Sequence, residues 1–86
     1  MSAAEQVAYA PFDTIFFALP NDVQRRIQEK IDRMGRQLDR FPHHRLTGSS
    51  RYRLRVGDYR IIYTFDLHTN SIHLLGVGHR RDVYKD

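Results

Sequence analysis

The sequence has no cysteine and no tryptophan, and lysine supplies only two of its fourteen cationic side chains, Lys30 and Lys85; the other twelve are arginines. Without thiols there is neither a disulfide framework nor a zinc–thiolate site, which suits a reducing cytosol. No apolar run approaches the roughly 20 residues of a membrane span. The opening Met1-Ser-Ala-Ala-Glu-Gln also lacks the basic and apolar regions of a signal peptide. A cytoplasmic protein with no membrane association is the expectation. No G-x-x-x-x-G-K-[ST], G-x-G-x-x-G or G-x-S-x-G motif occurs, and no paired carboxylates stand at catalytic spacing. Of the five histidines, His43 and His44 fall in a connector. His73 and His79, six residues apart, would lie on one face of a strand about 20 Å apart, too far to share an ion. No metal or other cofactor is expected.

What remains is small, modestly apolar and basic. Eighty-six residues suggest one domain over 1–86, burying about 60–65% of its unfolded surface. Ten aromatics within 41% apolar content are enough for a core. Ten acidic residues against fourteen basic ones leave a net charge of +4. An arginine bias follows from a GC-rich genome as readily as from function. Arginine, however, offers a planar fork that matches phosphate and stacks on bases, so the positions of the arginines decide between the two.

Val7-Ala-Tyr9 reads as a short first strand. Phe12, Ile15, Phe16 and Leu19 then recur at helical spacing and Pro20 ends that helix. Asn21 is a candidate N-cap, with Gln24 in capping-box position. Val23, Ile27, Ile31, Met34, Leu38 and Phe41 step by three and four, predicting an amphipathic helix over Asn21–Phe41 stopped by Pro42. Tyr52–Val56 and Tyr59–Asp66 alternate at strand period around Gly57-Asp58, a two-residue hairpin loop. His68-Thr-Asn-Ser71 makes a second turn, and Ile72–Val77, apolar on both faces, reads as an interior strand. The order β-α-α-β-β-β gives an α+β fold with a helical hairpin on one face of a mainly antiparallel sheet.

Side chains at i and i+2 of a strand share a face, so Arg51, Arg53 and Arg55 line one side while Tyr52, Leu54 and Val56 line the other. Arg60, out of phase with Tyr59 and Ile61, falls with Arg53 and Arg55 on the side away from the helices. Gly78-His-Arg-Arg-Asp-Val-Tyr84 adds Arg80 and Arg81, with Tyr84 near the rim. Like charges gathered on one face repel unless an anion belongs there, which points to phosphate and to RNA. Tyr84 suits a stacking platform or a proton donor, and His79 suits acid–base work near neutral pH.

Leu46-Thr-Gly48, Tyr52-Arg-Leu-Arg-Val-Gly-Asp-Tyr-Arg-Ile-Ile-Tyr63 and Val77-Gly-His-Arg-Arg-Asp-Val-Tyr84 resemble the RelE/ParE superfamily of type II toxin–antitoxin toxins, on the RelE side. The resemblance implies a fold like that of microbial ribonucleases. It also implies cleavage of mRNA in the ribosomal A site: the 2′-OH attacks the adjacent phosphate, leaving a 2′,3′-cyclic phosphate and a 5′-OH, with no metal or cofactor. By resemblance, Arg60 matches a phosphate-binding arginine, and Arg80 one that stabilises charge or protonates the leaving oxygen. Tyr84 likewise matches a tyrosine that stacks on the nucleotide. Arg53 and Arg55 stand where the best-known members carry lysines. An arginine, with a pKa of about 12.5 or more, cannot serve as a base, so the proton acceptor falls to His79, Tyr84, water or a ribosomal RNA group. The implied partners are the ribosome with mRNA and a partly disordered, acidic antitoxin, with operator DNA met only through the antitoxin complex. A ParE-like inhibitor of DNA gyrase is the alternative, as is a detoxified relative kept as a co-repressor.

Overall fold

A computed structural model describes residues 2–83. They form β1 (Glu5–Ala8), α1 (Ala10–Phe16), α2 (Asn21–Arg36), β2 (His44–Arg45), β3 (Tyr52–Val56), β4 (Tyr59–Asp66), β5 (Ser71–His79) and α3 (Arg80–Val83). The strands make one sheet in the order β1-β5-β4-β3-β2. β1 runs parallel to β5 and every other pair is antiparallel. This is the α+β arrangement expected, with β5 interior and with a two-residue β2 and a short α3 added. Among the described residues no helix is long and apolar enough to cross a membrane.

The helical stripe builds the core. Ile27, Ile31 and Met34 on α2 have no exposed surface, and they pack with Phe12 and Phe16 of α1 and with Leu54, Ile61, Tyr63, Ile72, Leu74 and Val77 of the sheet. Each such burial is worth about 1.5–3 kcal/mol. The two flanks of α2 are polar in different ways. Toward β1, Gln6 Nε2 donates to Asp32 Oδ1 at 2.8 Å and Gln28 Nε2 donates to Gln6 Oε1 at 2.8 Å. Toward β3, Lys30 Nζ donates to the Arg55 carbonyl at 2.8 Å.

Two helix boundaries differ from expectation. Pro20, extended at φ −56° and ψ 148°, is the N-cap of α2, so Asn21 is already helical and makes no side-chain cap. Gln24 Nε2 instead donates to the Leu19 carbonyl at 2.9 Å, holding the end of α1. α2 stops at Arg36 rather than Phe41, because Gln37 leaves the helical region at φ −143°. The chain continues through turns in which Arg40 N–H and Phe41 N–H both donate to the Gln37 carbonyl. Leu38 and Phe41 still reach the same core. A three- and four-residue spacing is satisfied by turns as well as by helix.

The β3–β4 hairpin closes on Val56 and Tyr59. Gly57 has φ 57° and Asp58 is not among the positive-φ residues, as a type II′ turn requires. Further along, the β4–β5 register shifts between Ile62, opposite Gly76, and Tyr63, opposite Leu74. The extra residue, Leu75, is a bulge, and it exchanges which alternate residues of β5 face the helices.

His43, read from sequence as part of a polar connector, is inserted into an aromatic cluster. Its ring stacks on Phe65 with centroids 3.8 Å apart and an interplanar angle of 17°. Nε2 donates to the Leu38 carbonyl at 2.8 Å, and in the neutral ring Nδ1 then accepts the Tyr63 O–H at 2.6 Å. Burial, and after it the neighbouring Tyr52, raises the Tyr63 pKa well above that of a free phenol.

Gly35 and Gly57 should respond oppositely to a methyl group. A Cβ on Gly35 meets Ala4 and Ile72 no closer than 3.6 Å. Gly35→Ala is therefore expected to stabilise by about 0.5–1 kcal/mol, and Gly57→Ala, forced to a positive φ, to destabilise by about 1 kcal/mol or more, both read by urea denaturation. The Tyr63 shift gives a pH effect of definite sign. Its stabilisation is complete below the unfolded tyrosine pKa of about 10 and is lost as pH rises from there toward the folded value. Stability measured across this alkaline range should fall less steeply in Tyr63→Phe than in the unsubstituted protein.

Candidate functional site

One face of the sheet carries α1 and α2; the other carries the arginines. Directly opposed residues share a face, and the ladder sets two rows across it. Arg55 lies opposite Arg60, which lies opposite Gly78; Arg53 lies opposite Ile62, which lies opposite Gly76. Each row thus runs from an arginine on β3 to a glycine on β5. A Cβ placed on Gly76 would meet nothing within 4 Å, so the surface over that residue of β5 is open.

The three arginines differ in environment. Arg55 is exposed and Arg53 half-buried. Arg60 is only 5% exposed, and its Nη1 donates to the Gly57 carbonyl at 3.1 Å and the Tyr59 carbonyl at 3.0 Å. It lies on the expected face, but not as a solvent-facing cation. A charge is tolerated at such burial only when paired or hydrogen-bonded, and here the carbonyls of the hairpin turn supply bonds.

Arg80 and Arg81, at the start of α3, are exposed. The Arg80 backbone N–H donates to the Asp58 carbonyl at 2.7 Å, tying the end of β5 to the hairpin turn. Arg80 therefore begins its helix at the end of the sheet that holds Arg55 and Arg60. Arg51 is exposed just ahead of β3, its N–H donating to Ser49 Oγ at 3.0 Å. Tyr84 lies outside the described residues.

His79 is not brought to this face. It stands opposite Tyr59, with ring centroids 5.7 Å apart at 78°, on the side of Ile61 and Val77. The bulge at Leu75 also separates the two strand histidines. His73 stands opposite Thr64 on the arginine side, so the expectation that His73 and His79 share a face is corrected by one inserted residue. His79 Nδ1 accepts the Arg81 N–H at 3.4 Å. His73 is bonded to Tyr9, its Nδ1 lying 3.0 Å from Tyr9 Oη. Among the described residues no three His, Asp or Glu side chains are grouped to hold a metal ion.

Sequence reasoning passed over Lys30 as one of several charges on the outer faces of α2. Its i+3 and i+4 offsets from Ile27 and Arg26 were the available signal for a cation at the flank of the buried stripe rather than opposite it.

A family model described as the ParE toxin of type II toxin–antitoxin systems, parDE, matches residues 3–84. The chain belongs to this toxin family. Among solved structures the toxin is similar to a chain of the archaeal RelE–RelB complex from Pyrococcus horikoshii OT3, with 25% identity, 92% of this chain and 97% of that chain covered, and a TM-score of 0.74. The RelBE2 toxin–antitoxin complex of Mycobacterium tuberculosis gives 20% identity, coverage of 93% and 94%, and a TM-score of 0.76. The isolated Escherichia coli RelE toxin gives 16% identity, coverage of 90% and 84%, and a TM-score of 0.75. No curated protein matches the chain. The family model carries the ParE name and the structural neighbours carry RelE names; the fold is common to both.

The burial of Arg60 changes what its replacement tests. Arg60→Ala takes a donor from two turn carbonyls and should lower stability by about 1–3 kcal/mol. Arg80→Ala, at an exposed position, should stay within about 0.5 kcal/mol of the unsubstituted toxin. Parallel chemical denaturation of the two variants checks this, and equal stabilities would contradict the structural role given to Arg60.

Proposed function

We propose that the toxin is a RelE-like, ribosome-dependent endoribonuclease that cuts mRNA in the A site. The observation that carries this reading is the pair of in-register rows on the uncovered face, Arg55–Arg60–Gly78 and Arg53–Ile62–Gly76. They gather cations on the same face as the open backbone at Gly76, which a phosphodiester can approach.

In the reaction, the 2′-oxygen bonds to the adjacent phosphorus, the bond from phosphorus to the 5′-oxygen breaks, and the products are a 2′,3′-cyclic phosphate and a 5′-OH. The 2′-OH proton leaves to an acceptor and the departing oxygen gains one. Charge builds on the phosphorane oxygens, where positioned cations stabilise it most. Arg60, anchored by the turn carbonyls, is arranged before the substrate arrives. Arg53, Arg55 and the exposed Arg51 and Arg81 bind phosphate, and Arg80 stabilises charge at the leaving oxygen. Because every one of these groups stays protonated, the proton acceptor lies elsewhere. The placement of His79 behind the sheet favours Tyr84, a water or a ribosomal RNA group over His79.

The partner we infer is an acidic antitoxin segment over the arginine face. The similar structures from Pyrococcus horikoshii, Mycobacterium tuberculosis and Methanococcus jannaschii are toxin–antitoxin complexes, and the charge of the face fits such a segment. A second reading, a ParE-like inhibitor of DNA gyrase, is favoured by the family model that matches.

Expression in cells with mapping of mRNA 5′ ends separates the two. The ribonuclease reading expects 5′-OH ends in register with the reading frame and arrest of translation, both abolished in Arg80→Ala. Induction of the DNA-damage response with intact mRNA would replace it by the gyrase reading. Full toxicity of a folded Arg60→Ala/Arg80→Ala variant would contradict the roles assigned to both residues.

A further inference from the structure

We propose that the cavity between α2 and the outer edge of β3 is a second nucleotide subsite. It would take one base and its phosphate from the RNA strand whose neighbouring phosphates lie on the arginine face. The subsite rests on the RNA reading above and extends it round the edge of the sheet.

The cavity encloses about 410 Å³ and is lined by Lys30, Phe41, Pro42, His44, Arg53, Leu54 and Arg55. That volume falls within the roughly 300–1,000 Å³ of small-ligand sites. Its composition has two parts. Phe41, Pro42 and Leu54 are apolar; Lys30, His44, Arg53 and Arg55 are cationic or imidazole, and no carboxylate is among the seven. An apolar floor containing an aromatic ring, within a basic rim, is the chemistry that holds a base by stacking and its phosphate by charge. Two of the rim residues, Arg53 and Arg55, also belong to the arginine rows. Cavity and face are therefore one continuous basic surface.

An acidic peptide offers the same charge, but the backbone discriminates against it. β2 pairs only His44 with Arg53 and Arg45 with Tyr52, so on its outer edge β3 has no strand neighbour alongside Arg55. Alternate residues of an antiparallel strand turn their polar groups outward, and an added peptide strand would have to bond the outward carbonyl of Arg55. That carbonyl already accepts Lys30 Nζ at 2.8 Å. Lysine here closes the sheet edge while keeping two of its three N–H donors for an anion. A nucleotide needs no ladder bonds and can use those donors directly.

The test is equilibrium binding of a fluorescent six-nucleotide RNA to the toxin without ribosomes, over a range of salt. Lys30→Glu is expected to weaken binding about tenfold, and Lys30→Gln to lower the salt slope by about one. Arg25→Glu, the same charge reversal at an exposed position on another face of α2, should have a clearly smaller effect. Thermal melting checks that the variants are folded, and Lys30→Gln retains a donor for the Arg55 carbonyl. Equal binding by Lys30→Glu and Arg25→Glu overturns the subsite and leaves the ribonuclease reading intact. Loss of affinity for a glutamate-rich peptide, with RNA binding unchanged, overturns it in favour of a peptide occupant. No RNA binding by the unsubstituted toxin overturns it as well. Ribosomal cleavage, assayed separately on the unsubstituted toxin, decides the underlying reading by itself.

Discussion

The register of the β3–β4 hairpin is the constraint on which the rest depends. Side chains alternate with a period of two, so a slip of one residue would turn Leu54, Ile61 and Tyr63 out of the core and put arginines in their place. Val56 and Tyr59 are closed by two residues, and Gly57 holds the positive φ that lets so short a loop match the twist of its strands. With that turn set, Leu54 meets Ile61 under α2 and Arg55 meets Arg60 on the far side. The core and the basic face are two consequences of the same pairing. Burial of the apolar set supplies the free energy that holds like charges in opposition.

Arg60 is where fold and proposed chemistry meet. A guanidinium at 5% exposure, bonded to the carbonyls of Gly57 and Tyr59, stiffens the turn that sets the register. The same bonds fix its position relative to the turn. An exposed arginine would lose side-chain entropy on binding phosphate, whereas one already ordered by the fold loses less. Substitution at this position consequently mixes a loss of structure with a loss of charge. Arg80 does not have that difficulty, since its contact with the turn is made by its backbone N–H to Asp58 and its side chain is exposed.

Periodicity carried much of this architecture. The alternation from Tyr52 to Tyr63 sorted Arg53, Arg55 and Arg60 onto one face, and the stripe from Val23 to Phe41 named core-packing residues of α2 and of the turns after it. Where the sequence misled, something non-local or irregular intervened. Leu75 looks like any other strand residue, yet as a bulge it reverses the facing of His73 relative to His79. His43 stands in a connector between Pro42 and His44, and only the approach of Phe65 and Tyr63 brings it into the aromatic cluster. The capping box at Asn21 fitted its motif, but Pro20 took the cap position and Gln24 turned to the preceding helix. The burial of Arg60 was not read from the strand pattern, and the carbonyls of Gly57 and Tyr59 to which it donates are groups that any residue would offer.

The presence of arginine at positions 53 and 55, where the family resemblance implies lysines, has a consequence for any RNA cleavage at this face. A cluster of cations lowers the pKa of a lysine within it and can bring that group into use as a base. Arginine resists the same field because its pKa starts at about 12.5 or higher. Arg53, Arg55 and Arg60 are therefore strong in charge stabilisation and none of the three is a base. Such a site favours the phosphorane over the ground state through electrostatics while taking the proton elsewhere. On the ribosome, the acceptor can be an RNA group or an ordered water brought by the decoding centre. In the proposed ribonuclease, an acceptor supplied by the ribosome would make dependence on it chemical as well as a matter of substrate positioning, whereas Tyr84 as acceptor would leave that dependence to positioning alone.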